Sequence, residues 1–170
     1  MEIPVGAWTI RSWRTGDEEA LSQYLGNPNV SRNLVARHPH PYKIEHARAW
    51  IHLAAMEAEP VNFAIANNEK AIGGVGLTLQ RGARRQTAEI GYWLGEPFWG
   101  QGIATETVRA FTDFAFSRFD LRRLQAYVFD WNAASIRVLE KANYAYEGRL
   151  GKSAVKDGLV IDELLYAQVR

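Results

Sequence analysis

Trp99-Gly100-Gln101-Gly102-Ile103-Ala104-Thr105 is the stretch from which the rest of the chain can be read. Before it, the apolar run over 87–94 predicts a strand. After it, the stripe Ala104, Val108, Phe111, Phe114 and Ala115 predicts a helix over 102–117. Two glycines separated by a single residue, at the mouth of a helix, leave backbone N–H groups uncovered. Those donors and the positive end of the helix dipole suit a phosphate or pyrophosphate. A glycine pair of this kind also serves plain chain reversals, so the flanking sequence has to decide between the two.

Alternation in the preceding strand puts Glu89, Gly91 and Trp93 on one face and Ala88, Ile90, Tyr92 and Leu94 on the other. Glu89 thus lies inside a strongly apolar strand. A carboxylate there is at an edge, paired with an arginine, or set for proton transfer. Downstream, 124–129 reads as another strand. Asp130-Trp131-Asn132 then leads into a helix with Ile136, Leu139 and Ala142 inward. Asn132 suits its N-cap and Ser135 its third position, a sufficient structural account of both. Asn143 falls where a left-handed residue ends a helix. Residues 144–150 and 159–169 read as closing strands, with Asp157-Gly158 as a tight turn between Val155 and Val160.

Upstream, Trp8 to Trp13 alternates as a first strand. Thr15-Gly16-Asp17-Glu18 has capping-box spacing with Thr15 as the cap, and Ala20, Leu21, Tyr24 and Leu25 give the helix after it one apolar face. Residues 29–42 read as a loop flanking a cleft. His38-Pro39-His40-Pro41 lies within it, but the prolines and the lack of further ligands nearby argue against a metal, and none is expected. Ala47, Trp50, Ile51, Ala54 and Ala55 mark a second helix; His46 and His52 are not at ligand spacing. Residues 62–66 and 71–79 form a hairpin, in which Gly73-Gly74 signals a bulge or a close backbone approach. Arg81 to Gln86 reads as a solvated charged turn. This order predicts an α/β fold: a mixed, mainly antiparallel central sheet flanked by about four helices.

A chain of 170 residues, 47% hydrophobic and 23% charged, fits a single domain over 1–170. A net charge of +1 gives no electrostatic case for a nucleic acid or a membrane surface. With no cysteine there is no disulfide, thiolate metal site or cysteine-bound acyl intermediate. No apolar run spans a bilayer and Met1 to Arg14 lacks a signal-peptide core, so a cytoplasmic location is expected.

Three runs carry a resemblance. Glu89-Ile90-Gly91-Tyr92-Trp93-Leu94, then the glycine stretch through Glu106, then Asn132-Ala133-Ala134-Ser135-Ile136-Arg137-Val138-Leu139-Glu140-Lys141 with Glu147-Gly148, resemble the GNAT superfamily of N-acetyltransferases. Within it the chain looks most like the RimJ/RimL-type acetyltransferases of protein N-terminal amines. The resemblance implies acetyl-CoA at the splay between two parallel strands and no metal. It places the pantetheine by Trp93 and Leu94, and the pyrophosphate on the turn of Trp99, Gly100, Gln101, Gly102, Ile103, Ala104 and Thr105. Asn132 and Lys141 complete the implied cofactor set, and a homodimer is suggested by the family alone.

Family members usually transfer acetyl directly to a primary amine, which agrees with the absence of cysteine. Departures from the family pattern are Pro97 for Gln or Arg, Asn143-Tyr144 for Gly-Phe, and Leu139 where many members carry a tyrosine acid. The RimJ/RimL-type branch uses a serine at the place of Ser135 instead. Glu89 is then the expected base and Ser135 the expected acid, with backbone N–H groups near Leu94 for the carbonyl oxygen. The expected acceptor is a protein or peptide N-terminal amine; a small-molecule amine such as a polyamine or antibiotic is the alternative. Two other classes stay open. A dinucleotide-binding oxidoreductase would need a third glycine where Thr105 stands, and a non-catalytic acyl-CoA- or peptide-binding module would share the fold.

Overall fold

A computed structural model describes residues 2–35, 39 and 41–170. Its described strands form one eight-stranded sheet: β1 (Glu2–Val5), β2 (Trp8–Arg11), β3 (Asn62–Ala66), β4 (Ala71–Leu79), β5 (Thr87–Leu94), β6 (Arg123–Phe129), β7 (Ala145–Lys156) and β8 (Leu159–Val169). Their spatial order is β1-β2-β3-β4-β5-β6-β8-β7, and every pair is antiparallel except β5 with β6. Five α-helices are described: α1 (Glu18–Leu25), α2 (Pro28–Ser31), α3 (Ile44–Ala55), α4 (Ile103–Arg118) and α5 (Ala133–Lys141). The mixed, mainly antiparallel sheet read from the sequence is therefore present, with one short helix more than expected.

The pleat divides the core in two. Ile10, Phe63, Ile65, Val75, Ile90 and Leu124 join Val108, Phe111 and Ala115 of α4 and Leu139 of α5 in one cluster. Ala64 of β3 joins Trp13, Leu21 and Leu25, with Val30 of α2 and Ala47 and Ile51 of α3, in a second. Helices α4 and α5 belong to the first cluster and α1 to α3 to the second, and that division later sets the two walls of the cleft.

Several local readings change. Strand β1 was not read from the sequence; it pairs with β2 across a turn where Gly6 has φ +61°. Thr15 does not cap α1. Asp17 stands at the N-cap, and its carboxylate is committed to Arg11 through Nη1 at 2.7 Å and Nη2 at 2.8 Å. Asp17 also accepts from the backbone N–H of Arg14 and of Ala71, so this buried pair ties β2, α1 and β4 together. The buried ion pair outweighs a local cap because an unpaired buried carboxylate costs far more than a missing cap. Within the loop read over 29–42, Pro28–Ser31 is helical: Asn27 caps it by accepting from the Asn29 N–H at 2.9 Å, and proline opens it. His38 and His40 lie outside the described residues. Among the described residues no group of three or more His, Asp or Glu could hold a metal.

The expected hairpin turn at Asp157-Gly158 is present, with φ of +51° and +78°, and Asn143 takes the left-handed conformation at φ +65°.

Candidate active site

Strands β5 and β6 pair at only three positions, Thr87 with Arg123, Ala88 with Leu124 and Glu89 with Gln125. Beyond Glu89 they part, leaving backbone edges on both sides of a V. Glu89 stands at the apex. A cavity of about 580 Å³ fills the V and runs on beneath α1 to α3.

At the open end of the V, Gly100 and Gly102 have φ of +74° and +80°, and a Cβ on either would meet nothing within 4 Å. Gly102 is the N-cap of the 16-residue α4 and has no side chain to cap it with, so the first-turn N–H groups face the cavity mouth. Trp99 fixes the approach to this turn, its Nε1–H donating to the Leu94 carbonyl at 2.7 Å. An anion with room around it fits such a turn: two glycines, open space at both Cβ positions, and an uncapped helix end.

On the α5 side, Asn132 accepts from the Ser135 N–H at 3.2 Å, the expected cap. The Ser135 Oγ lies 2.7 Å from the Tyr92 Oη. Tyr92 is largely enclosed, and burial raises its phenol well above the ordinary tyrosine range, so it stays protonated and remains a donor. The phenol has one hydrogen and two acceptors in reach, Ser135 Oγ and the Ser135 carbonyl oxygen at 3.3 Å; when it donates to Oγ, the serine hydroxyl hydrogen is left for another acceptor. By the strand's alternation Tyr92 and Glu89 point to opposite faces of β5, so the hydroxyl pair and the carboxylate border opposite sides of the V.

Of the residues expected from the sequence, Glu89, Trp93, Leu94, Trp99, Gly100 and Gly102 line the cavity, as do Ile103, Ala104, Thr105, Asn132, Ser135 and Lys141. Gln101 does not: its side chain turns back and donates to the Pro97 carbonyl at 3.1 Å. Glu147 is structural. It pairs with Arg123 of β6, which holds its carboxyl below the usual range.

Three features were missed. Tyr92 read as an apolar-face residue because its partner lies far along the chain. Glu96 accepts from Asn27 Nδ2 at 2.6 Å and from Asn29 Nδ2 at 2.8 Å, anchoring α2 beside the glycine turn. Trp131 Nε1 donates to Asn33 Oδ1 at 3.1 Å, so the segment from Asn27 to Asn33 is tied at both ends across the cavity mouth. Asn27-Pro28 was the available signal for α2; nothing local signals its partners.

A sheet split at one parallel pair, with a glycine-led helix at the open end and a carboxylate and a hydroxyl pair on opposite walls, defines a class: the acetyl-CoA-dependent N-acetyltransferases. The comparisons agree. The family described as acetyltransferase (GNAT) domain matches residues 8–144. The chain is 29% identical over 170 residues to p20 of Bacillus licheniformis, an uncharacterized N-acetyltransferase, covering 95% of this chain and 92% of that protein. It is 25% identical to the L-amino acid N-acetyltransferase AaaT of Escherichia coli over 95% of this chain and 97% of that one. Its fold superposes with a TM-score of 0.85 on RimL, a ribosomal L7/L12 alpha-N-protein acetyltransferase solved with coenzyme A, at 24% identity over 99% and 98% of the two chains. This chain belongs to the GNAT acetyltransferase family, and it is an acetyl-CoA-dependent N-acetyltransferase.

Proposed function

We propose that this enzyme acetylates an α-amine at the N-terminus of a peptide or protein, by direct attack within a ternary complex. The observation that carries the reading is the position of Glu89. It is the last paired residue before the strands part, and it borders both the V and the cavity beneath α1 to α3. A base there stands where a donor in the V meets an acceptor from the far side.

The roles follow from the reaction. The amine has to lose a proton before it attacks, and Glu89 takes it, directly or through water. Backbone N–H groups near Leu94 stabilise charge on the carbonyl oxygen. As the C–N bond forms and the C–S bond breaks, the departing sulfur takes a hydrogen bond from Ser135 Oγ, which Tyr92 contacts at 2.7 Å. The second proton of the attacking nitrogen ends on that sulfur to give free CoA thiol. A phenol raised above its ordinary range does not give up its proton to a thiolate of ordinary pKa near 8.5. The Ser135–Tyr92 pair therefore acts as a fixed donor toward developing charge, without becoming an anion itself. Trp93, Leu94, the turn from Trp99 to Thr105, Asn132 and Lys141 hold acetyl-CoA, with Gln101 serving through its backbone.

An α-amine suits this site better than a lysine ε-amine. Its ordinary pKa is about 2.5 units lower, so its neutral fraction at pH 7 is roughly 300-fold larger for the same carboxylate base. The names of two similar proteins support either an amino acid or a ribosomal protein as acceptor class.

The test is a peptide bearing a free α-amine and one internal lysine, incubated with acetyl-CoA and mapped by mass spectrometry. Acetylation at the α-amine, absent after chemical blocking of that amine, is expected. Modification of lysine alone would refute the assignment.

A further inference from the structure

The two ends of the cavity differ in chemistry. At the V it is lined by backbone, hydroxyls and the cations Arg137 and Lys141. Beneath α1 to α3 it is walled by Trp13, Leu21, Leu25, Val30 and Trp50, with Trp93 rising from the sheet. The floor there includes Gly74, Gly76 and Gly91, beside Asn62 and Thr78. A Cβ on Gly74 would lie 2.6 Å from Trp93 Nε1 and 3.1 Å from Trp13 Cζ2, so two indoles already close over that position. Gly91 is different. It lies between Glu89 and Trp93 on the same face of β5, and a Cβ there would meet nothing within 4 Å. Of these three glycines, Gly91 is the one with open space at its Cβ, and it lies beside the carboxylate. Among the described residues lining the whole cavity, Glu89 is the one acidic side chain.

Resting on the transferase reading above, we infer that the acceptor carries a large apolar or aromatic side chain next to its amine. The side chain enters the indole-lined end, and the amine crosses the bare backbone at Gly91 to reach Glu89. A glycine at that position leaves the width of a side chain for the acceptor. Spermidine has no apolar side chain to place in the indole-lined end, so it is expected to be a poor acceptor. Indoles also offer flat apolar area at small entropic cost. Gly91 and Trp50 are therefore specificity-determining positions.

The experiment measures CoA release by the full chain at saturating acetyl-CoA. Its acceptors are phenylalaninamide, leucinamide, glycinamide, free L-phenylalanine and spermidine. Phenylalaninamide or L-phenylalanine should exceed glycinamide in kcat/KM by at least about 10-fold, since a single methylene in an apolar pocket is worth roughly 10–200-fold. Which of those two is better separates a peptide N-terminus from a free amino acid. Gly91→Leu should raise the KM for phenylalaninamide by about 10-fold or more and leave acetyl-CoA affinity, measured by calorimetry, within about two-fold. Trp50→Ala should narrow the preference for phenylalaninamide over glycinamide. Spermidine or glycinamide as the best substrate of the wild-type protein would overturn this inference and leave acetyl transfer standing. No CoA release with any amine, despite acetyl-CoA binding, would overturn the transfer reading and this inference with it.

Discussion

Two glycine-rich stretches of this molecule look alike in sequence and do opposite work. Gly73, Gly74 and Gly76 of β4 are glycine because neighbours press on them. A Cβ would lie 2.4 Å from the Trp93 carbonyl oxygen, 2.6 Å from Trp93 Nε1 and 2.4 Å from Asn62 Oδ1 respectively. Gly100 and Gly102 are glycine because of backbone conformation, and the space around them is open. The first set is spent on packing β4 against its neighbours. The second keeps a helix mouth accessible. A glycine with neighbours too near marks a core, whereas a positive-φ glycine with nothing near it, at the start of a helix, marks a place for a ligand.

That contrast fixes what each substitution should do. Gly73→Ala drives a methyl into the β5 backbone and should cost about 3 kcal/mol. For a domain of this size that lowers the melting temperature by on the order of 6–12 °C. Acetyl-CoA affinity of whatever remains folded should stay near wild type; a normal melting temperature would show that β4 has slack.

Ser135→Ala is expected to act on the reaction instead. It should lower turnover by roughly 10²-fold, the loss of one fixed donor to developing charge, with a stability cost of no more than about 1.5 kcal/mol. Tyr92→Phe should lower turnover by less, because Ser135 Oγ survives. Unchanged turnover in both, on the accepted amine, would make this pair a helix-packing contact.

Gly102→Ala should do a little of each. A left-handed alanine costs about 1–2 kcal/mol, and its methyl enters the space in front of the α4 N–H groups. Acetyl-CoA affinity should fall by about 10-fold, read by calorimetry; affinity within two-fold of wild type would make the turn structural. Gly91→Ala is the smallest change. With open space at its Cβ and an ordinary strand conformation, it should shift stability by no more than about 0.5 kcal/mol.

Much of this was legible in the sequence, for reasons that can be named. Strand β5, the glycine turn and α4 follow one another with clear periodicities, and the Asn132 cap and the Asp157-Gly158 turn depend on neighbours close along the chain. What was not legible depends on distant partners. Asp17 serves Arg11 and the Ala71 N–H in place of a local capping box. Tyr92 finds Ser135 only because β5 and α5 meet across the V. Strand β1 has four residues, one of them proline, too few for alternation to register. Glu89 was legible as an anomaly in an apolar strand, but its place at the last paired position required the register of β5 on β6.

The central claim is that Glu89 takes the proton of the attacking amine, and Glu89→Gln tests it most directly through the pH dependence of turnover. The amide cannot accept an ammonium proton, so turnover at low and neutral pH should fall steeply while acetyl-CoA affinity holds. As pH rises toward the pKa of the acceptor, more amine is already neutral, and activity should partly recover. A Glu89→Gln profile that overlays the wild type across the whole range would contradict the account and leave catalysis to positioning and backbone donors alone.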